Sequence, residues 1–285
     1  MITRIPGSEI ERFIEEDCPY GDLTTHLLGI GNSYGRIVFS TREDTTLCCT
    51  EEAARVLQKC GATLASCMPS GTKLPAGMEF LAAEGPAHAL HAGWKVALNL
   101  LEYASGIASR TQRIVEKCSA VNPALSVVTT RKSFPGTKRV AIKAITAGGA
   151  LPHRLGLSET VLVFKQHTAF TGGLAAFLGT VVDLKKRARE TKIIVEADTI
   201  EEALLIAGSG ADIVQLDKII PVELAAAVTA IRAANPNILI SAAGGINEAN
   251  AAEYAITGID IIVLSSVYFG KPSDIGVRIQ PVEKK

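Results

Sequence analysis

The sequence predicts an α/β protein whose C-terminal part is a barrel of parallel strands. Three observations carry this. Short, almost wholly apolar β-rich runs recur from about residue 120 onward, separated by helical stretches. Strands that alternate with helices imply βαβ units and a parallel sheet, and strands covered on both faces need apolar runs of this kind. Nearly every run also ends in polar or special residues. A barrel gathers such ends into one ring, whereas an open sheet spreads them along an edge.

In order, the runs are Leu125–Thr129, Val161–Phe164, Lys192–Glu196, Asp212–Leu216, Asn237–Ser241 and Asp260–Leu264. Helices are predicted over Lys138–Ala147, Gly173–Glu190, Glu201–Gly208, Val222–Ala234 and Glu248–Ile256. Six runs are two short of a full barrel, so either two strands are hidden or the barrel is incomplete. The first hundred residues have another rhythm. Gly35–Leu47 is strand-like, and Thr50–Gly61 reads as a helix with Thr50 as N-cap and Gly61 as its stop. Gly71–Gly85 is broken by Gly and Pro into loops and short strands. His91–Ser109 carries Val96, Leu100, Tyr103 and Ile107 at helical spacing and leads into the second half.

Composition narrows the function. A chain of 285 residues suits one large or two modest domains, and 47% apolar residues suit a real core. The formal net charge is zero, which leaves no basic field for nucleic acid or anionic lipid. No apolar run approaches the roughly 18–20 residues needed to span a bilayer. The N-terminal stretch lacks the apolar centre of a signal peptide. The expectation is a cytoplasmic protein acting on small molecules, with neither nucleic acid nor membrane as partner. Six cysteines, none in a Cys-x-x-Cys pair, read as core thiols.

The candidate chemistry sits at the strand ends. Arg131 and Lys132 follow a strand and precede a Pro-Gly turn, a good anion clamp. His153 and Arg154 follow Gly148 and Gly149, whose lack of a side chain permits close backbone approach. Glu196 and Asp217 each close an apolar run. A carboxylate there projects into the ring of loops rather than the core, because an unpaired buried charge is costly. The pair suits Mg²⁺ or a cationic sugar centre; a salt bridge across the barrel top is the structural alternative. Gly244 and Gly245 end another run and open a predicted helix, as in phosphate cradles, and Ser265 and Ser266 could add hydroxyls. Cations for an acidic substrate, carboxylates for metal or sugar, and a phosphate cradle are together what phosphoribosyl transfer requires.

Six segments, in order, carry a resemblance: EDCPYGDLTT (16–25), ALNLLEYASGIA (97–108), TRKSFPG (130–136), GGALPHRLG (148–156), DIVQLD (212–217) and AGGI (243–246). As a set they resemble the quinolinate phosphoribosyltransferase family, and most of all its branch associated with molybdenum transport. The resemblance implies an N-terminal α/β sandwich over 1–105, joined by the tail 272–285, and a six-stranded incomplete α/β-barrel over 106–271. It implies a homodimer whose active sites are completed by the partner subunit, and leaves open a hexamer of such dimers. Phosphoribosyl pyrophosphate is the implied co-substrate and Mg²⁺ the cofactor. Arg131, His153 and Arg154 match positions that hold the acceptor's carboxylates. Lys132, Glu196 and Asp217 match catalytic positions near the sugar diphosphate, the last two also near the metal, and Gly244 and Gly245 match the phosphate loop.

Three positions depart from the family. Lys95, at the position given to the partner's site, stands where the family has Arg; Phe164 stands where it has Lys; Ile194 stands for the first carboxylate of a Glu-x-Glu. Lys165 cannot simply replace the lost lysine, because a one-residue shift on a strand changes faces. The acceptor end has lost positive charge while most of the phosphoribosyl end remains, so quinolinate is expected to be a poor acceptor or none. Two other readings compete: a barrel that only senses an anion or metabolite in molybdate uptake, and a Schiff-base enzyme built on Lys132 or Lys218.

Overall fold

The computed structural model describes residues 4–283, which form two compact units. Residues 1–3 and 284–285 of the predicted first domain lie outside them.

The first unit takes in the chain up to Gln112, the segment Phe134–Gly149 and the chain from Tyr268 onward. Its four-stranded antiparallel sheet runs in the order Ile275–Pro281, Tyr34–Thr41, Glu79–Pro86, Thr63–Cys67. Strand pairing brings Ile279 opposite Ile37, so the C-terminal segment completes this sheet. Helix Thr50–Cys60 packs on it with Ala53, Val56 and Leu57 buried. Thr50 is the first helical residue and not the cap. The cap is Cys49, in left-handed conformation and without a side-chain cap bond, while Gly61 ends the helix at φ +108°. Helix Gly7–Asp17, which the sequence reading lacks, buries Ile10. The predicted helix over 91–109 is far longer, Ala87–Val121, and its last residues belong to the second unit. Among the described residues no helix is long and apolar enough to cross a membrane.

The second unit is the barrel, made of Arg113–Ser133 and Ala150–Val267. All six predicted strands are present, shifted by at most two residues: Ser126–Thr129, Val161–Val163, Ile193–Ala197, Ile213–Asp217, Leu239–Ala243 and Ile261–Leu264. A seventh, Leu151–Pro152, pairs beside Ser126–Thr129. Every pairing is parallel, and the strands follow one another from Leu151–Pro152 through Ser126–Thr129, Ile261–Leu264, Leu239–Ala243, Ile213–Asp217 and Ile193–Ala197 to Val161–Val163. The series does not close, so the barrel is incomplete. Phe134–Gly149, which the sequence reading assigns to the barrel, falls in the first unit.

Two predicted helices are cut short for local reasons. Gly173–Glu190 is split into Leu174–Leu178 and Val181–Arg187, with Gly179 between them. Glu248–Ile256 shrinks to Ala251–Ala255. There Asn250 Oδ1 accepts from Asn247 N and Asn247 Oδ1 accepts from Ala249 N, at 2.8 and 2.9 Å. Asparagine side chains that capture nearby backbone donors compete with the helical ladder.

Candidate active site

Strand periodicity builds the site. Alternate residues of a strand share a face. Leu162, Ile194 and Ile213 form one buried cluster, with Phe164, Leu239 and Ile261 packed against it. Two positions further along the same strands, on the same face, stand Glu196 and Gln215, which are register partners, and Asp217 follows Gln215. These three side chains line a cavity of about 630 Å³ at the C-terminal ends of the strands.

The strand order arranges the lining. His153 and Arg154 follow the first edge strand, and Arg131 and Lys132 follow its neighbour. Ser265, then Gly244 and Gly245, come next; Asp217 and Glu196 stand on the following two strands, and Phe164 directly follows the last, Val161–Val163. Arg131, Lys132, His153 and Arg154 thus occupy one flank of the curled sheet, Glu196 and Asp217 with Lys218 the other, and the glycines the middle.

Electrostatics follow this layout. Burial, and then the charge of Arg154, lower the His153 pKa, favouring a neutral imidazole. Burial pushes the Glu196 carboxyl up; the Gln215 hydrogen bond opposes this and the charge of Asp217 adds to it. Gln215 Nε2 donates to Glu196 Oε2 at 2.8 Å, while Gln215 Oε1 is buried without a partner. Lys218 Nζ donates to Asp217 Oδ2 at 2.7 Å.

The glycine turn is sterically obligatory. Gly244 has φ +86°, and a Cβ there would lie 2.5 Å from Lys218 Cγ and 2.6 Å from Asp217 Oδ1. Gly245, at φ +74°, faces open space. The cradle is therefore a backbone turn. It is not the helix terminus that the sequence suggests, since the next helix starts only at Ala251. Gly148 serves packing instead of substrate approach: a Cβ there would meet Ala108 O at 2.5 Å.

Two predicted site residues lie elsewhere. Ser266 is not among the lining residues and donates its hydroxyl to Ile246 O at 2.9 Å. Lys95 lies in the first unit, its ammonium 4.9 Å from the Trp94 ring. Phe164 lines the cavity and stacks on His167 with ring centres 5.7 Å apart, whereas Lys165 pairs with Asp198. Gln215 and Thr130 are lining residues that the sequence reading does not single out. The signal for Gln215 is an amide inside an apolar run.

The quinolinate phosphoribosyl transferase N-terminal domain profile matches residues 22–105, and the C-terminal domain profile matches 107–278. The chain belongs to the quinolinate phosphoribosyl transferase family. The putative pyrophosphorylase ModD of Rhodobacter capsulatus is 43% identical over 250 residues, 87% of this chain and 95% of that protein. The nicotinate-nucleotide pyrophosphorylase [carboxylating] of Rattus norvegicus is 30% identical over 262 residues, 92% of this chain and 86% of that protein. The nicotinate-nucleotide pyrophosphorylase structure from Francisella tularensis superposes with a TM-score of 0.88 at 24% identity, covering 98% of this chain and 99% of that one. That last likeness establishes the fold. Membership makes this chain a pentosyltransferase-type enzyme.

Proposed function

We propose that the protein transfers a phosphoribosyl group from phosphoribosyl pyrophosphate to a small acidic aromatic nitrogen acceptor, with quinolinate a poor one. The carrying observation is the order of groups around one cavity: two basic pairs, a glycine turn, then two carboxylates. In this reading Arg131, His153 and Arg154 bind the acceptor's carboxylate, and Lys132 faces the diphosphate. Gly244, Gly245 and Ser265 receive phosphate oxygens. The acceptor nitrogen forms a bond to the anomeric carbon as the carbon–oxygen bond to pyrophosphate breaks, and the electron pair leaves with pyrophosphate. The carboxylate of Glu196 offsets the positive charge that develops on the sugar.

Among the described residues no group of three or more His, Cys, Asp or Glu could hold a metal by itself. Mg²⁺ is commonly held by one or two carboxylates plus substrate phosphates, and Glu196 with Asp217 fits that pattern. These two would hold it, and it would supply charge neutralisation of the diphosphate. Lys95, outside the lining, is assigned in this reading to the site of a second copy in a homodimer.

Phe164, where the family pattern has Lys, leaves the acceptor end with less positive charge than that pattern implies. The test is pyrophosphate release from phosphoribosyl pyrophosphate and Mg²⁺ with quinolinate and with pyridine monocarboxylates. Release should be faster with a monocarboxylate. Quinolinate-dependent release exceeding every monocarboxylate would overturn the acceptor assignment. The residues that replace the family's Arg and Lys, Lys95 and Phe164, favour the second reading, a metabolite or anion sensor; tight binding with no product across the panel would select it.

A further inference from the structure

Lys218 adopts a backbone conformation that a lysine seldom takes. Its φ is +61°, and among the described residues only Cys49 shares a positive φ without being glycine. Asn and Asp visit this region at low cost through local hydrogen bonds, and Lys has no such device. Backbone strain of this kind persists only where the surroundings impose it, and it clusters at functional sites. Here the backbone N–H of Lys218 donates to Ala243 O at 2.8 Å, tying the turn to the neighbouring strand. The side chain doubles back, and its ammonium donates to Asp217 Oδ2 at 2.7 Å. The other carboxylate oxygen, Oδ1, lies over the Gly244 backbone, 2.6 Å from where a Cβ would stand. One oxygen of Asp217 therefore carries a cation, and the other has its room only because position 244 is glycine. The Lys218 side chain is 78% exposed, so solvent could take the ammonium if nothing in the turn directed it inward.

We propose that Lys218 is a resident cation of the carboxylate flank: its ammonium holds Asp217 where a divalent ion would bind, and so competes with metal for that residue. This rests on the reading of Asp217 as a metal ligand. In the absence of sugar diphosphate the ammonium keeps the site poor in metal. When a metal–diphosphate complex enters, Asp217 exchanges the ammonium for the metal, and Lys218 becomes a counter-charge to phosphate oxygens. The exchange makes and breaks hydrogen bonds only.

The experiment is Mn²⁺ titration followed by electron paramagnetic resonance, without phosphoribosyl pyrophosphate, on the wild type, Lys218→Asn, Lys218→Arg and Asp217→Asn. Asn tolerates the left-handed turn, so Lys218→Asn is expected to fold. It should bind Mn²⁺ about tenfold or more tightly than the wild type, close to 1.4 kcal/mol. Lys218→Arg should stay near the wild type, and Asp217→Asn should bind more weakly than Lys218→Asn. Equal Mn²⁺ affinity in Lys218→Asn and the wild type would overturn the competition. Undiminished binding in Asp217→Asn would overturn Asp217 as the ligand. Neither outcome depends on turnover, so a failed proposal here and a failed phosphoribosyl-transfer reading are distinguished by the pyrophosphate-release assay.

Discussion

Two clusters of buried charge, one in each unit, use the same kinds of residue to different ends. In the first unit Lys143 and Glu52 side chains are each 3% exposed and bonded to one another. Lys143 Nζ also donates to Glu51 Oε2 at 2.8 Å, and Glu51 accepts from the backbone N and hydroxyl of Ser70. In the barrel Glu196 accepts an amide from Gln215, Gln215 Oε1 has no partner, and both residues face a cavity. A fully paired network fixes a packing arrangement; one left partly open toward a cavity is available to a ligand. The carboxyl groups reflect the difference. Burial raises Glu51, but hydrogen bonds from Lys143 and Ser70 outweigh it and bring the group down to about 2. Glu196 is shifted upward, with burial the first cause.

The largest effect that tests this contrast is on stability. Lys143→Met would leave Glu52 buried without its counter-charge and should cost about 3–5 kcal/mol, read as a fall in the urea midpoint. A loss under about 1 kcal/mol would mean that the network can be dispensed with. Next comes Glu196→Gln, which keeps the side chain's shape but removes its charge. Turnover should fall about 10²–10³-fold, as for loss of one transition-state charge partner, with no loss of stability at pH 7. Normal turnover in Glu196→Gln would make the barrel cluster structural after all.

The two carboxylates should also tilt stability with pH in opposite directions. Glu51 is depressed in the folded state, so the unfolded chain binds more protons between about pH 2 and 4.5; its contribution is present above that window and lost as pH falls through it. Glu196 is raised in the folded state, so there the folded chain binds more protons, and stability falls as pH rises from the ordinary carboxylate value through the raised one. Chemical denaturation from acid to neutral pH should show Lys143→Met with a shallower first slope, since the Ser70 hydrogen bonds to Glu51 remain, and Glu196→Gln losing the second. Parallel profiles for both variants would remove the distinction.

Apolar runs with polar ends make much of the barrel legible. They yield the six longer strands and set Glu196 and Asp217 at or near the strand ends. Alternation does not account for Phe164 and Lys165: the strand ends at Val163, and Lys165 opens the short helix Lys165–Thr168 and pairs with Asp198, so a helix start and not a change of strand face separates the two side chains. Leu151–Pro152 is invisible because two residues make no run. The Lys143 network is invisible because its members lie 91 and 92 residues apart, and a buried lysine on a helix reads like an exposed one. The glycine cradle reads as a helix start because Asn247 and Asn250 resemble helix-opening residues, yet they spend their side chains on local turns. By contrast, helix Gly7–Asp17 is readable: Ile10, Phe13 and Ile14 have helical spacing.

The smallest expected effect separates two neighbouring hydroxyls. Ser265 lines the cavity, whereas Ser266 spends its hydroxyl on Ile246 O, behind the glycine turn. Ser266→Ala removes one neutral hydrogen bond and should cost about 0.5–1.5 kcal/mol, with kcat/KM nearly unchanged. Ser265→Ala should leave stability alone and raise the KM for phosphoribosyl pyrophosphate. The reverse pattern, a kinetic defect confined to Ser266→Ala, would show that the turn's position, and not a hydroxyl facing the cavity, sets phosphate affinity. The cradle would then join the Lys143 network as an element whose value lies in what it holds in place.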